Sequence, residues 1–539
     1  MEPRIQDDTK DEKELLTWAD DENAICMEPQ VDIWAWRNIG FLGNYFCIGI
    51  VYGALPSTLY SLFLIYLNVP AHVYATASVL VLFPWSFKIF WGVLSDTVPL
   101  CGHHRKPYLI IGWSICSLGL IILSMYSIPD PYYCRDDRGY YTKEICNANA
   151  PDSAGAYTAM MGLIAFGYVI SDVSADSLLV EYAQKEPIEV RGNIQSTVYL
   201  IRTCGQIAAQ IMLAVGMNGK EYGGEFVQSL TFNQVCTCLS IPSILMMPLS
   251  YFCVQEQGGQ VGPPVKEYAS QAWELLRSKA AFYVICYSFL SPLFDGVTSP
   301  ASGPMKSVWA KVGNLQNQMF GVLGYVLFAI GLWITKKYLL DVSWRLILVT
   351  TAVVMNITDM FFTFVIVSGT IRNQYFFISD GLLDEIPASI AFIVSSYVIV
   401  ELADHGNQGM VYGLMTTFSN VGNPVARAIG NQIYGCFSPS LSETQNYVAD
   451  TTEFRYTVGW SFLLQYGLTF VGLLFVYLLP KQKEEAQLRK ANWPKNDAYA
   501  WISVITLSVA LLYSTSLNVM VMVPKLSCLK VVGGSGCQS

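Results

Sequence analysis

Hydrophobic residues along this chain occur in long runs rather than at the spacing of one helix face or one strand face. Most runs are about 20 residues or longer, which is the length that an α-helix needs to cross a bilayer. The pattern predicts thirteen membrane-spanning helices, near residues 39–67, 71–95, 107–127, 155–180, 193–216, 232–254, 280–303, 313–335, 345–368, 373–402, 408–436, 456–479 and 499–523. The chain is therefore predicted to be an all-α polytopic membrane protein.

Polar segments divide the predicted spans into two groups of six and one extra. The longest polar break within the bundle, residues 255–279, has a Gly/Pro-rich start and an amphipathic end, which indicates a linker. It separates an N-terminal half, residues 39–254, from a C-terminal half, residues 280–480. An acidic tail, residues 1–38, precedes the halves, and residues 481–539 contain a polar segment, the uncharged extra span and a final tail.

The composition agrees with a membrane protein. Of the 539 residues, 53% are hydrophobic and 14% are charged, whereas soluble domains carry about 25% charged residues. Lys and Arg are more frequent in the loops on the side of the N-terminus than on the opposite side, which predicts a cytoplasmic N-terminus. The acidic tail lacks a basic region followed by a cleavage site, so it is not expected to be a removable signal peptide. The net charge of −9 gives no indication of a nucleic-acid partner.

The motifs of nucleotide-driven pumps and of zinc sites are absent from the sequence. It has neither a G-x-x-x-x-G-K-[ST] loop nor a Cys/His cluster at zinc spacing. Any transport by this chain is therefore expected to be secondary, without a cofactor, a metal or catalytic residues, and the excess of acidic residues in the spans favours coupling to protons. The plasma membrane is the expected location, ahead of an organelle membrane. Cys134 and Cys146 share one predicted outer loop, where a disulfide is one of two alternatives.

A lysine stands inside the second predicted span, in the stretch FPWSFKIFWGVLSD. A charge at the bilayer centre costs at least about 2.5–3.5 kcal/mol, so Lys88 is expected to face the protein interior and to have a partner. Asp172 and Asp176 in span four are four residues apart and share a helix face. These residues can form either a Lys–Asp ion pair or a site at which one carboxylate binds a proton. We predict Asp172 and Asp176 as the proton-coupling residues and Lys88 as part of the substrate site.

The two halves share a weak repeat. Span five contains RTCGQI and span eleven contains RAIGNQI, so Arg202 and Arg427 each precede a glycine at the same spacing. Transporter repeats place the substrate site near the membrane midplane between the halves. Because a guanidinium binds a carboxylate with two hydrogen bonds, both arginines are predicted to bind an anionic substrate. The alternative is that each arginine pairs with an Asp across the bundle.

Polar residues beside prolines and glycines indicate interrupted helices in the second half. Asp295 lies in SPLFDGVTSPASGP, and Asn420 and Asn423 precede Pro424. A broken helix exposes backbone groups that can bind a ligand inside a protein-lined cavity. We predict Asp295, Asn420 and Asn423 as substrate-binding residues, with a hinge as the alternative for the break after Asp295.

The loop after span two, GVLSDTVPLCGHHRKPYL, resembles the G-x-x-x-D-x(n)-G-R-K loop of the major facilitator superfamily. In that superfamily the loop residues latch the cytoplasmic side closed, and the resemblance implies this role for Asp96, Arg105 and Lys106. Charged residues near the inner ends of spans four and ten are predicted gate or latch residues: Glu181, Arg191 and Glu401. The resemblance implies a major facilitator-type bundle of six plus six helices, to which the sequence adds a thirteenth C-terminal span.

Two longer stretches narrow this resemblance. FPWSFKIFWGVLSDTVPLCGHHRKPYLIIG and ISDVSADSLLVEYAQKEPIEVRGNIQSTVYLIRTCGQIAA are similar to the folate–biopterin transporter family, and the likeness covers roughly residues 40–480. It implies a secondary carrier of folate or a related pterin that works by alternating access, with the small molecule, protons and the lipid bilayer as partners. A carrier of another small solute, such as S-adenosylmethionine, is the alternative, and a non-transporting membrane receptor on a carrier fold is a third interpretation.

Overall fold

The first half folds into long helices joined by short turns. The computed structural model describes residues 32–136, 138–184, 193–256, 264–339, 342–402 and 408–537. The long helices of the first half are α1 (Ile39–Leu59), α2 (Ala71–Leu80), α3 (Lys88–Thr97), α4 (Lys106–Met125), α5 (Ala154–Gln184), α6 (Asn193–Gly216) and α7 (Phe232–Phe252). A π-helix over Tyr60–Tyr66 extends α1, and a 3₁₀ turn over Phe83–Phe87 joins α2 to α3 within one span.

Among the described residues, the linker, the second half and the segment after residue 480 contain ten helices of six residues or more. They are α8 (Val265–Arg277), α9 (Lys279–Asp295), α10 (Asn314–Ile334), α11 (Trp344–Ser368), α12 (Gln374–Leu402), α13 (Gln408–Tyr434), α14 (Thr444–Ala449), α15 (Thr452–Leu473), α16 (Lys483–Asn492) and α17 (Asp497–Met522). After α9 the chain is non-helical up to a short helical stretch, Ser302–Pro304, which continues as a π-helix over Met305–Trp309. The predicted broken helix is therefore present.

Helices long and apolar enough to cross a membrane number eleven within the described ranges. The two other predicted spans also contain helices. One is α9, which is 17 residues long and ends at the break, and the other is α13, which is 27 residues long and more polar. The predicted thirteenth span corresponds to α17, whose 26 residues are among the eleven. The prediction of an all-α polytopic membrane protein is confirmed.

Glycines allow α1 and α6 to approach each other closely. A Cβ atom on Gly205 would lie 2.2 Å from the carbonyl oxygen of Phe46, and one on Gly49 would lie 2.1 Å from the carbonyl oxygen of Arg202. Small residues commonly allow such backbone contact between membrane helices. The glycine of the RTCG stretch therefore packs α6 against α1 and fixes the height of Arg202 in the first half.

The loop between α4 and α5 forms a two-stranded antiparallel hairpin, β1 (Tyr133–Arg135) and β2 (Tyr141–Ile145), which the hydrophobic pattern did not predict. A disulfide joins Cys134 to Cys146, whose Cα atoms are 5.0 Å apart. We call this end of the bundle the hairpin end, and the opposite end, which contains Asp96, the latch end.

The two halves are hydrogen-bonded to each other at the hairpin end. The hydroxyl of Tyr60 donates to the carbonyl oxygen of Val312 at 2.6 Å. The side-chain amide of Asn314 donates to the carbonyl oxygen of Met217, also at 2.6 Å. Each bond joins the first half to the second, so the hairpin end is closed between the halves.

The segment that follows α17 lies against the hairpin end. A disulfide joins Cys528 to Cys537 within it. Nε2 of His72, at the start of α2, lies 3.1 Å from the carbonyl oxygen of Ser527, and Val532 is buried at 1% exposure. The thirteenth span, α17, is therefore followed by a tail that packs onto the first half.

Pro424 interrupts the backbone hydrogen bonding of α13. Because proline has no N–H, the carbonyl oxygen of Asn420 one turn earlier loses its partner within the helix. Ser86 of the first half donates its hydroxyl to that oxygen at 3.1 Å. In return the side-chain amide of Asn420 donates to the carbonyl oxygen of Trp85 at 3.1 Å. The predicted interruption in span eleven is thus stabilised from the other half.

Asp450 joins two arginines at the hairpin end of the second half. Arg372 donates to its two carboxylate oxygens at 2.7 and 3.0 Å, and Nε of Arg455 donates at 2.9 Å. Partial burial disfavours the charged carboxylate, but the hydrogen bonds from the arginines outweigh burial and lower the pKa of Asp450 to about 2. A carboxylate with a lowered pKa stabilises the fold above its unfolded pKa of 3.8 and loses that contribution as the pH falls towards 2.

We expect Asp450→Asn to destabilise the protein at pH 7 by up to about 1 kcal/mol, the upper value for a partly exposed ion pair. Asparagine tolerates the left-handed backbone at this position, where φ is 50°, so the change acts on charge. Thermal unfolding in detergent should show a melting temperature below that of the wild type, and this difference should disappear between about pH 4 and pH 2. Asp130→Asn, in an exposed loop at the same end, is the control. A difference independent of pH would contradict the ion-pair explanation.

Candidate functional site

Lys88 lies between the two aspartates of α5. Helix α2 ends at Leu80, and the 3₁₀ turn over Phe83–Phe87, which contains Pro84, places Lys88 at the start of α3. Its Nζ is 2.8 Å from a carboxylate oxygen of Asp172 and 2.9 Å from one of Asp176. The two aspartates share a helix face, as their spacing of four predicts. Lys88 therefore forms an ion pair with both, which was one of the two alternatives.

Arg202 joins the same group of charges from α6. Its NH1 lies 3.3 Å from the second oxygen of Asp172, whose side chain is completely buried. The guanidinium also lies over aromatic rings, 5.1 Å from the centre of Trp85 and 5.3 Å from that of Tyr52. Arg202 thus pairs with an aspartate, as the alternative interpretation had it, although the partner belongs to its own half.

The four charges form a compact network with equal numbers of positive and negative groups, which we call the charge network: Lys88, Asp172, Asp176 and Arg202. Removing one partner of such a buried group leaves an uncompensated charge, which costs much more than the net stability that the intact group provides. The prediction of partners for Lys88 is therefore met by geometry, while the roles in transport remain proposals.

Sequence reasoning missed two aromatic members of this site. The hydroxyl of Tyr45 donates to Asp176 at 2.9 Å. The ring of Trp85 lies 4.7 Å from Nζ of Lys88. Trp85 is three residues before Lys88 and could have been found from helical spacing, whereas Tyr45 stands among apolar residues of α1 and gives no signal.

Arg427, the counterpart of Arg202 in the repeat, has different partners. Its NH1 donates to the carbonyl oxygen of Thr298 at 3.2 Å and its NH2 to the hydroxyl of the same residue at 2.6 Å. In the part of the chain that the structure describes, no carboxylate pairs with Arg427, and its buried Nε has no hydrogen-bond partner. The alternative of an Asp partner is therefore not met for Arg427.

Two cavities lie beside the break after α9. One, of about 300 Å³, is lined by Tyr74 and Ser78 of the first half and by Asn423 and Arg427 of the second. The other, of about 440 Å³, lies between α9, α12 and α13 and contains Asp295 and Asn420. The structure thus places all four second-half candidates on cavities, in two groups: Asn423 with Arg427, and Asp295 with Asn420.

Helix α15 holds the broken segment in place. The hydroxyl of Thr469 donates to one carboxylate oxygen of Asp295 at 3.3 Å. The side chain of Gln465 accepts the backbone N–H of Ser299 at 2.9 Å. The contact with Gln465 satisfies a backbone N–H that a continuous helix would have paired, and the contact with Thr469 orients Asp295.

The latch end contains the predicted latch residues in part. Arg105 forms an ion pair with Asp96, and its Nε lies 3.2 Å from Glu181. The side chain of Lys106 instead donates to the carbonyl oxygen of Tyr251 at 3.4 Å. Three of the predicted residues are therefore brought together, and the cluster lies within the first half.

A further carboxylate at this end was not predicted. Glu256 accepts the backbone N–H groups of His104, Arg105 and Lys106 at 2.6, 2.8 and 2.9 Å. A carboxylate is stabilising at this position because the first N–H groups of α4 lack partners within the helix. Glu256 follows the loop by 150 residues in sequence, so no local pattern indicated it.

Glu401, another gate candidate, lies apart from this cluster. Glu401 pairs with Lys483 at 3.4 Å and accepts the side-chain amide of Gln487 at 2.7 Å, both in the polar segment after span twelve. Its contacts thus differ from those of Glu181. Arg191 lies outside the described residues, as do residues 1–31 of the acidic tail.

A sequence model of the BT1 family matches residues 49–130 and 147–494. The chain belongs to the BT1 family. This match covers the two stretches that carry the resemblance to folate–biopterin transporters and confirms that resemblance.

Curated relatives of this BT1-family chain are distant. A folate-biopterin transporter of Synechocystis sp. is 20% identical over 358 residues, which are 65% of this chain and 65% of that protein. Folate transporter 1 of Plasmodium falciparum is 19% identical over 438 residues, 78% of this chain and 75% of that protein. The alignment therefore spans about two thirds of the cyanobacterial relative and three quarters of the parasite one.

Solved structures with the same fold are membrane transporters. A D-xylose–proton symporter has a TM-score of 0.58 and 13% identity, over 83% of this chain and 98% of that one. A POT family transporter in complex with 5-aminolevulinic acid also has a TM-score of 0.58, with 11% identity over 84% and 98% of the two chains. These likenesses confirm the major facilitator-type fold. The BT1-family chain is a multi-pass membrane protein.

Proposed function

We propose that this BT1-family transporter carries folate or a related pterin by alternating access, coupled to protons. The observation that carries the substrate class is Arg427, a partly buried residue whose guanidinium lies on a cavity and has no carboxylate partner among the described residues. Such a group binds a carboxylate strongly, and folate carries two on its glutamate. The substrates in the names of the two distant relatives support the same class.

We propose Asp176 as the site of the coupling proton. Asp172 is fully buried and contacts both cations of the charge network, whereas 27% of the Asp176 side chain is exposed and it contacts only Lys88 among the cations. A proton that reaches Asp176 neutralises it and leaves Lys88 paired with Asp172 alone. Because α3 and α5 meet through these contacts, protonation changes how the two helices are held together.

Uptake into proteoliposomes tests the proposed function. Purified protein is reconstituted, and uptake of labelled folate, biopterin and S-adenosylmethionine is measured with and without an inward proton gradient. We expect saturable uptake of folate or biopterin that the gradient stimulates. Uptake of S-adenosylmethionine alone would favour a cationic solute, and uptake of none of the three by folded protein would contradict the proposed substrate class.

We expect Asp176→Asn to remove the stimulation by the proton gradient while leaving slow folate exchange in place. Asparagine keeps a side chain that accepts the hydrogen bond of Tyr45 but does not take up a proton. The measurement is folate uptake at a series of external pH values, with Asp130→Asn as a control of the same chemical kind far from the charge network. If Asp176→Asn keeps both its uptake and its dependence on pH, another group binds the coupling proton.

A further inference from the structure

The larger cavity beside the break has the size of a small-molecule site. Its volume is about 440 Å³, within the roughly 300–1,000 Å³ typical of ligand pockets. Helices α9, α12 and α13 surround it, and residues that line it include Tyr287, Ser291, Asp295, Phe392, Ser395 and Asn420. Its wall therefore combines aromatic faces, hydroxyl groups and one carboxylate.

The internal repeat shows why this space is open. Asp172 and Asp176 precede Glu181 by nine and five residues, and the same distances before Glu401 lead to Phe392 and Ser396. Phe392 and Ser396 both line the cavity. Where the first half has aspartates paired with Lys88, the second half therefore has an aromatic and a hydroxyl group facing open space.

Asp295 is an accessible carboxylate at this cavity. Its side chain is exposed, and one oxygen accepts the hydroxyl of Thr469 at 3.3 Å. Within the described ranges neither a lysine nor an arginine pairs with it, and none of the residues lining the cavity is basic. A carboxylate in such surroundings binds hydrogen-bond donors and repels anions, which is the opposite preference to that of Arg427.

A pterin ring presents the donors that this carboxylate accepts. Its 2-amino group and the neighbouring ring N–H are parallel donors on one edge, and two parallel N–H groups fit the two oxygens of a carboxylate. The faces of the ring are flat and aromatic, and Tyr287 and Phe392 supply aromatic side chains on the cavity wall. The cavity thus matches the pterin end of folate, whereas Arg427 matches the carboxylate end.

We propose that Asp295 binds the amino-pyrimidine edge of a pterin ring in this cavity, while Arg427 binds the carboxylates at the other end of folate. The inference rests on the proposed function and adds which residue binds the pterin ring. Thr298, which Arg427 contacts, is three residues after Asp295, so both charged groups adjoin the same short broken segment. Asn420 and Asn423, one turn of α13, line the two cavities in turn.

Three compounds that share parts of folate test this assignment. Folate has both ends, biopterin has only the pterin, and p-aminobenzoylglutamate has only the carboxylates. Each is measured as a competitor of labelled folate uptake by wild-type protein, Asp295→Asn and the control Asp130→Asn. Thr469→Val is a milder variant, because it removes the hydrogen bond that orients Asp295 and keeps the carboxylate.

We expect Asp295→Asn to weaken the binding of folate and of biopterin about tenfold or more. This is the usual loss of affinity when a hydrogen bond to a charged group is removed. The affinity for p-aminobenzoylglutamate should be unchanged, and Thr469→Val should give the same pattern with a smaller loss. If Asp295→Asn leaves too little uptake to measure, the rise in melting temperature of purified protein on adding each compound gives the same comparison.

Three results would overturn the assignment. Equal weakening of all three compounds would mean that Asp295 acts on the fold or on the transport cycle. No weakening of the pterins in a wild type that transports them would remove Asp295 from the pterin site and leave the proposed function intact. A wild-type protein that binds neither folate nor biopterin would overturn both the assignment and the proposed function.

Discussion

Lys88→Met is expected to abolish gradient-driven uptake and to destabilise the protein by about 3–5 kcal/mol, the cost of removing one partner from a buried ion pair. Methionine keeps the length of the side chain but not its charge. Asp172 and Asp176 then lie four residues apart on α5 with only Arg202 to compensate them. Two carboxylates so placed in a low-dielectric interior do not both stay ionised without cost.

A double-mutant cycle measures this effect. Melting temperature in detergent and folate uptake are compared for the wild type, Lys88→Met, Asp176→Asn and the double variant. The double variant restores charge balance, because Arg202 remains paired with Asp172, so it should recover most of the lost stability but not the coupling to protons. A Lys88→Met protein as stable as the wild type would show that the ion pairs contribute little in the membrane.

Arg427→Gln is expected to weaken the binding of folate about 10- to 100-fold and to leave the binding of biopterin unchanged. A hydrogen bond to a charged group contributes about 1.5–3 kcal/mol, which corresponds to this range of affinities. Biopterin has no carboxylate, so its binding does not depend on a hydrogen bond from Arg427. Glutamine still donates hydrogen bonds to Thr298, which limits damage to the broken segment. Competition against labelled folate uptake gives both affinities.

Thr298→Val separates binding from structure at this position. It removes the hydroxyl that accepts a hydrogen bond from Arg427 at 2.6 Å but leaves the guanidinium in place. If Arg427 serves only to hold the broken segment, Thr298→Val and Arg427→Gln should have similar effects on folate and biopterin alike. Selective loss of folate in the arginine variant alone would assign the charge to the substrate.

The sequence predicted the parts of the fold and site that depend on local spacing. Run lengths predicted the membrane helices, and the spacing of four placed Asp172 and Asp176 on one face. The cost of a charge in lipid predicted that Lys88 has a partner. These inferences need no knowledge of how the helices are arranged around one another.

Contacts between distant parts of the chain could not be predicted in this way. Arg202 and Arg427 occur in matching motifs, yet only Arg202 has an aspartate beside it, because α5 carries Asp172 where α12 carries Phe392. Glu256 reaches the first turn of α4 from the linker for the same kind of reason. The hairpin between α4 and α5 was missed because its strands are too short and polar for a hydrophobic pattern to indicate them.

The hydrogen bond from Ser86 to the carbonyl oxygen of Asn420 has an evolutionary consequence. Pro424 is tolerated in α13 because a donor from the other half takes the place of its missing N–H. A lineage that loses the donor at position 86 is then under selection to lose the proline, and a lineage that gains an N–H at position 424 no longer needs Ser86. We therefore expect the two halves, which share only a weak repeat in sequence, to change together at this point.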